Sequence, residues 1–140
     1  MISRTPSYVF DSFALLALFR DEVAAGAVED LLRLAQRGEV RISIATVNLG
    51  EVAYRTEREF GFERVEGVLG KIIEYQIGVV DVDRALALVA ARHRAIYKMS
   101  YADCIATALA QRLGGSVVTG DPDFQQVEHL VNIEWLPRDN

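Results

Sequence analysis

Four acids in this 140-residue chain stand where an α/β protein presents side chains to a ligand. Asp11 breaks off a short apolar run, Tyr8-Val9-Phe10, whose β-branched and aromatic residues suit a strand buried on both faces. Glu51 lies about one turn into the helix after a second strand, Asp103 falls in the first turn of a later helix, and Asp121 follows another strand. Ends of parallel strands are where ligands bind in open α/β sheets. A carboxylate there can serve as nucleophile, general base or metal ligand. It is expensive in a core unless it is paired or holds a cation.

Each acid also has a plain structural use. Glu51 can pair with Arg55 at i, i+4, a contact of a few tenths of a kcal/mol. Asp103 can complete a capping box with Ser100. Asp121 precedes Pro122 and can be a turn or cap residue. Capping and chemistry are compatible, because a cap fixes where a carboxylate points.

Spacing alone does not show that the four acids meet. If they do, two carboxylates ~5 Å apart repel by about 3 kcal/mol at an effective dielectric near 20. Protonation or a divalent ion relieves that repulsion. Oxygen-only ligands favour hard ions such as Mg²⁺ or Mn²⁺. Two histidines and one cysteine, without ligand spacing among them, speak against zinc.

The elements that would position these acids alternate along the chain. After the first strand, Ser12 is the expected cap of an Ala/Leu-rich helix running to Phe19. Val23–Arg37 has helical apolar spacing and ends at Gly38, and Val40–Ala45 alternates like a strand. Thr46 is the expected cap of the helix carrying Asn48, Glu51 and Arg55, which Gly61 breaks before an amphipathic segment from Phe62 to Ile73. Ile77–Val80 is a third strand, and Asp83 caps Arg84–Tyr97. Ser100 starts Tyr101–Leu113, which Gly114-Gly115 closes before the strand Ser116–Thr119; Val131–Leu136 is a final strand. Such alternation predicts an α/β fold: one domain over residues 1–140, with a mostly parallel sheet of four to five strands flanked by helices.

Composition narrows the function classes. An apolar share of 51% supports a folded core. Acids outnumber bases 20 to 15, so bulk positive charge does not hold nucleic acid here, although a bound cation and a local basic patch still can. One cysteine, Cys104, allows no internal disulfide, no apolar run approaches a bilayer span, and MISRTPSYVF carries no leader-like apolar core. A cytoplasmic protein with no membrane partner is the expectation.

Four motifs then stand in order: Asp11-Ser12-Phe13-Ala14-Leu15-Leu16-Ala17, Asn48-Leu49-Gly50-Glu51-Val52, Ser100-Tyr101-Ala102-Asp103 and Thr119-Gly120-Asp121-Pro122-Asp123-Phe124. Together they resemble the motifs of PIN-domain ribonucleases, most closely the VapC-type toxins of toxin–antitoxin pairs, over essentially the whole chain. Phe13 and Leu49-Gly50 depart from the hydroxyl-rich form of these motifs. The resemblance implies a Mg²⁺- or Mn²⁺-dependent endoribonuclease in which Asp11, Glu51, Asp103 and Asp121 hold the metal and Asp123 is an auxiliary acid. Ser12 and Thr119 would orient the carboxylates. It further implies attack by water leaving a 5′-phosphate, an RNA substrate, a homodimer and a cognate antitoxin lying across the groove.

Other residues carry weaker signals. Arg92, Arg94 and Lys98 precede Asp103 and are candidates for RNA phosphates, or else a solvated helix face. His93 reads as a packing or rim residue and Cys104 as a buried thiol. Tyr54 and Tyr101 can stack an unpaired base, with core packing the plainer use, and Arg55 and Arg58 can guide a substrate or partner. Two other readings remain open. A phosphotransferase or phosphatase with Asp11 as nucleophile would call for a second acid at position 13, where Phe13 stands, or for a lysine after a late strand, while the only lysines are Lys71 and Lys98. A non-catalytic PIN-like module that binds RNA or protein is the other.

Overall fold

The computed structural model describes residues 5–138. Residues 1–4, part of the stretch in which a leader was sought, lie outside it. Five strands form one all-parallel sheet: β1 (Ser7–Phe10), β2 (Arg41–Ala45), β3 (Gly78–Val80), β4 (Ser116–Thr119) and β5 (Asn132–Trp135), in the order β3-β2-β1-β4-β5. Seven segments connect them: α1 (Ser12–Phe19), α2 (Ala25–Gln36), α3 (Thr46–Phe60), α4 (Phe62–Glu74), α5 (Arg84–Ile96), α6 (Tyr101–Leu113) and a 3₁₀ segment, Pro122–Val127. Among the described residues no helix is long and apolar enough to cross a membrane.

Strand periodicity splits the core in two. Phe10, Ile44 and Val118 face one cluster with Leu15, Val28, Val52 and Ile72, supplied by α1 to α4. Val9, Ala45 and Val117 face the other with Leu86, Ile105, Leu109 and Phe124, from α5, α6 and the 3₁₀ segment. Adjacent residues of each strand thus feed opposite cores, which is why these strands read as continuous apolar runs.

The central strand β1 pairs with β2 on one side and β4 on the other, Phe10 lying opposite Ile44 and Val118. From β1 the chain turns into α1, against the first core; from β4 it turns into the 3₁₀ segment, against the second. The crevice between their carboxyl ends is therefore a topological switch point, the place where α/β sheets bind ligands. Gly115 lets β4 enter beside β1, since a Cβ there would lie 2.4 Å from the Ser7 carbonyl oxygen.

Two expected caps are corrected. Asp11, not Ser12, caps α1: its Oδ1 accepts from the Ala14 backbone N–H at 3.0 Å. Ser12 becomes the first helical residue, and its hydroxyl is left for another partner. Ala45 stands at the start of α3 without a side-chain cap, while Thr46 Oγ1 accepts from the Val82 N–H at 3.3 Å. Asp83 and Ser100 cap α5 and α6 as the sequence suggests, through Leu86 N–H and Asp103 N–H.

Candidate active site

Asp11 directly follows β1 at the switch point and is 1% exposed. Its second oxygen, Oδ2, accepts from the hydroxyl of Thr119, the last residue of β4. Thr119 Oγ1 in turn accepts from the Asp121 N–H at 3.0 Å, and Asp121 Oδ1 accepts from the Asp123 N–H at 2.9 Å. One chain of bonds thus runs from the end of β1 through the end of β4 into the 3₁₀ segment, and it fixes the backbone that carries Asp121 and Asp123.

Asp103 reaches the crevice from α6. Its N–H donates to Ser100 Oγ at 3.1 Å, which holds the first turn, and the residue is 8% exposed. Asp103, Asp121 and Asp123 each offer a carboxylate oxygen, and the three oxygens lie within 4.8 Å of one another. Glu51, from α3, accepts a hydrogen bond from Ser12 Oγ on α1. This replaces the ion pair with Arg55 that the i, i+4 spacing offered. Asn48, one turn earlier on α3, is buried and donates from Nδ2 to the Ala102 carbonyl at 3.2 Å, tying α3 to α6 beside Asp103.

Above these groups opens a cleft of about 380 Å³, whose walls include Glu51, Asp103, Asp121 and Asp123. One face of α1 forms a further wall: Phe13, Leu16, Ala17 and Arg20, at i, i+3, i+4 and i+7. Gly120 lies against Phe13, and a Cβ at that position would fall 2.5 Å from the ring. Glycine is therefore required there by close approach, and the unusual Phe13 belongs to the wall. Asp11 lies behind the cleft, with each oxygen engaged by a donor of the fold.

Crowding of acids has an electrostatic consequence. Burial pushes Asp11 up to about 8, against the Thr119 and Ala14 hydrogen bonds, and the charges of Asp103 and Asp121 push the same way. Burial pushes Asp103 up to about 7, opposed by Ser100 and reinforced by Asp121, Glu51 and Asp123. A neutral-pH site at which carboxyls are held back from ionising is one where a cation can displace protons. The donor set is all oxygen, and the ligand atoms of a six-coordinate ion at about 2.1 Å are spaced roughly 3 to 4 Å apart. The three-aspartate group fits a small hard divalent ion of this kind and offers zinc neither nitrogen nor sulfur.

The sequence-derived residues are thus distributed unevenly. Asp103, Asp121 and Asp123 converge most tightly, Glu51 lines the same cleft, and Asp11 stands behind them. Ser12 and Thr119 donate to Glu51 and Asp11. Arg92, Arg94 and Lys98 are exposed and do not line the cleft; the cations that do are Arg20 and Arg55. The helix carrying Arg92 and Arg94 packs on the second core through Leu86 and Ala90, which leaves both arginines on its solvated face. Sequence reasoning misses Arg20, although its i+7 spacing from Phe13 is there to be read. Tyr54 and Tyr101 are corrected from core to surface, at 48% and 42% exposed. Cys104 is buried, and His93 is a rim residue sharing a 2.7 Å hydrogen bond with Gln111.

A five-strand parallel sheet with acids gathered at its switch point defines the class, and the family comparison agrees: residues 8–130 match the PIN domain, so the chain belongs to the PIN domain family. No curated protein matches the sequence significantly. Among solved structures, the fold is shared with Mycobacterium tuberculosis VapC20, described as a sarcin-ricin loop cleaving toxin. The TM-score is 0.74 at 17% identity, over 93% of this chain and 99% of that one. It is shared equally with a chain of the Rickettsia felis VapBC2 complex bound to a promoter DNA fragment (TM-score 0.74, 13% identity, 94% and 99% covered). DNA-bound VapBC from Salmonella typhimurium gives a TM-score of 0.70 at 19% identity, with 92% and 97% covered.

Proposed function

We propose that this protein is a divalent-metal-dependent endoribonuclease, the toxin of a toxin–antitoxin pair. The observation that carries the reading is the convergence of Asp103, Asp121 and Asp123 beneath an open cleft that Glu51 also lines. Membership of the PIN family and a fold shared with VapC toxins support it.

In this reading Asp103, Asp121 and Asp123 hold Mg²⁺ or Mn²⁺, with Glu51 lining the same cleft. The bound ion supplies Lewis-acid activation of water and neutralises charge developing on the scissile phosphate. Glu51, lining the cleft and oriented by Ser12, is placed to accept the proton that the attacking water gives up. Asp11 does not touch the substrate. It pins Thr119, and through Thr119 the Asp121 backbone, so that the carboxylates keep their places while RNA enters. Attack by water, with no nucleophile from the chain, leaves a 5′-phosphate and a 3′-hydroxyl. The antitoxin and a second copy of this chain are the protein partners in this reading, and the compartment is the cytoplasm.

The phosphotransferase alternative loses ground because both Asp11 oxygens are engaged and the carboxylate is buried behind the cleft. The test is incubation of the purified chain with single-stranded and structured RNA in Mn²⁺ or Mg²⁺, followed by analysis of the ends. Cleavage giving 5′-phosphate ends is expected; 2′,3′-cyclic phosphate ends would overturn water attack, and no cleavage of any RNA would favour a non-catalytic module.

A further inference from the structure

The acidic cleft does not end at the acids. Arg20 and Arg55 line it, and both also line a second, shallower depression of about 270 Å³ that Arg58 and Glu59 complete. Three guanidinium groups thus stand beside one carboxylate, immediately next to a cluster that repels polyanions. Arg20 is committed within the fold: it lies 2.5 Å from Glu59 and 3.8 Å from Glu22. Among the described residues Arg55 and Arg58 have no carboxylate within ion-pair distance. Arg58 is nevertheless held, its guanidinium 5.0 Å from the centre of the Tyr54 ring. Glu51, Arg55 and Arg58 follow one another at i, i+4 and i+7 along α3, so one stripe of this helix leads from the acids to the cations.

From this juxtaposition we infer that Arg55 and Arg58 form a phosphate subsite for the RNA strand flanking the scissile position. The inference rests on the ribonuclease reading of the neighbouring cleft and adds to it the path by which the strand leaves. A chain with a net charge of −5 gains no help from bulk attraction, so its hold on a polyanion has to come from local, unneutralised cations. Guanidinium groups suit this because their fork of donors matches phosphate oxygens. The Tyr54 ring restricts Arg58 before RNA arrives, so less side-chain freedom is lost on binding. Arg20, neutralised by Glu59, lines both depressions and contributes little to the field. The contact is to backbone phosphate and carries no base specificity.

The test measures binding of a fluorescein-labelled oligouridylate in EDTA across a salt series, for the full chain and for Arg55→Ala, Arg58→Ala, the double variant and Arg58→Lys. For a single strand the salt slope of log K falls by roughly 0.7 for every phosphate no longer held by a cation, so each alanine variant is expected to reduce it by that amount and the double variant by twice as much. Arg58→Lys is expected to keep the slope, and thermal midpoints are expected to stay at the parent value. An unchanged slope and affinity in the double variant would overturn the subsite whether or not the protein cleaves RNA. Absence of salt-dependent binding by the parent chain would overturn it as well. Variants that spare the oligouridylate but no longer bind poly-glutamate would reassign the patch to an acidic protein partner. Arginine-dependent RNA binding without metal-dependent cleavage would sustain the subsite and sink the hydrolytic reading beside it.

Discussion

Thr119 donates its hydroxyl hydrogen to Asp11 across the crevice between β4 and β1, and the same oxygen accepts from the Asp121 N–H. The two residues are fully or almost fully buried and 108 positions apart in the chain. This bond joins the last residue of one central strand to the first residue after the other. It makes the buried Asp11 a brace for the loop that carries Asp121 and Asp123.

Thr119→Val keeps the shape of the side chain and removes the hydroxyl, leaving one Asp11 oxygen and the Asp121 N–H without their partner. A buried polar group left unsatisfied costs about 1–3 kcal/mol. Urea denaturation is expected to show a destabilisation in that range, larger at pH 8.5 than at pH 6, because the hydrogen bond from Thr119 favours the ionised form of Asp11. A change below a few tenths of a kcal/mol at both pH values would mean that the brace is not what holds this loop.

Stability of the metal-free protein is expected to fall as pH rises. Asp11 and Asp103 are pushed from 3.8 up to about 8 and about 7, so between these limits the folded chain keeps protons that the unfolded chain has released. Their contribution is complete below about pH 3.8 and is lost progressively up to pH 8. Asp83, held down at about 2 by Arg112, acts only below this window. The thermal midpoint in EDTA should therefore decline from pH 5 to pH 8, Asp11→Asn should flatten the decline, and Mn²⁺ should raise the midpoint more at pH 8 than at pH 5.5. A midpoint in EDTA that climbs over this range would show that the acids are not crowded as described.

Gly120→Ala drives a methyl group into the Phe13 ring. Overpacking of this kind typically costs 1–3 kcal/mol and moves backbone, here the backbone entering Asp121. Cleavage should fall together with stability. Phe13→Ala in the same chain should restore part of both, giving non-additivity in a double-mutant cycle. Strict additivity would show that ring and glycine do not meet.

Much of the fold is legible because its signals are local. Apolar runs mark four of the strands well, and Asp83, Ser100 and Gly114 punctuate helices in ways that depend on neighbouring residues alone. Local signals do not separate Asp11 from Ser12 as the cap of α1, because both are good caps; in the fold Asp11 takes the Ala14 N–H and Ser12 turns to Glu51. The acids are legible as residues at element ends. Their ranking is not, because Asp123 joins Asp103 and Asp121 through the geometry of a 3₁₀ turn that spacing does not reveal. Nor is it legible which cations share the cleft: Arg92 and Arg94 are near Asp103 in sequence, whereas Arg20 and Arg55 line the cleft with it.

The most direct measurement is the single-turnover rate of RNA cleavage in Mn²⁺, in EDTA and in EDTA back-titrated with Mn²⁺, for the parent chain and for Asp121→Asn. The expected result is cleavage that EDTA abolishes and Mn²⁺ restores, with Asp121→Asn at least about a hundredfold slower, as befits removal of a group that positions the reacting centre. Cleavage that persists in EDTA, or that survives Asp121→Asn at the parent rate, would contradict the assignment of the aspartate cluster as the catalytic metal site.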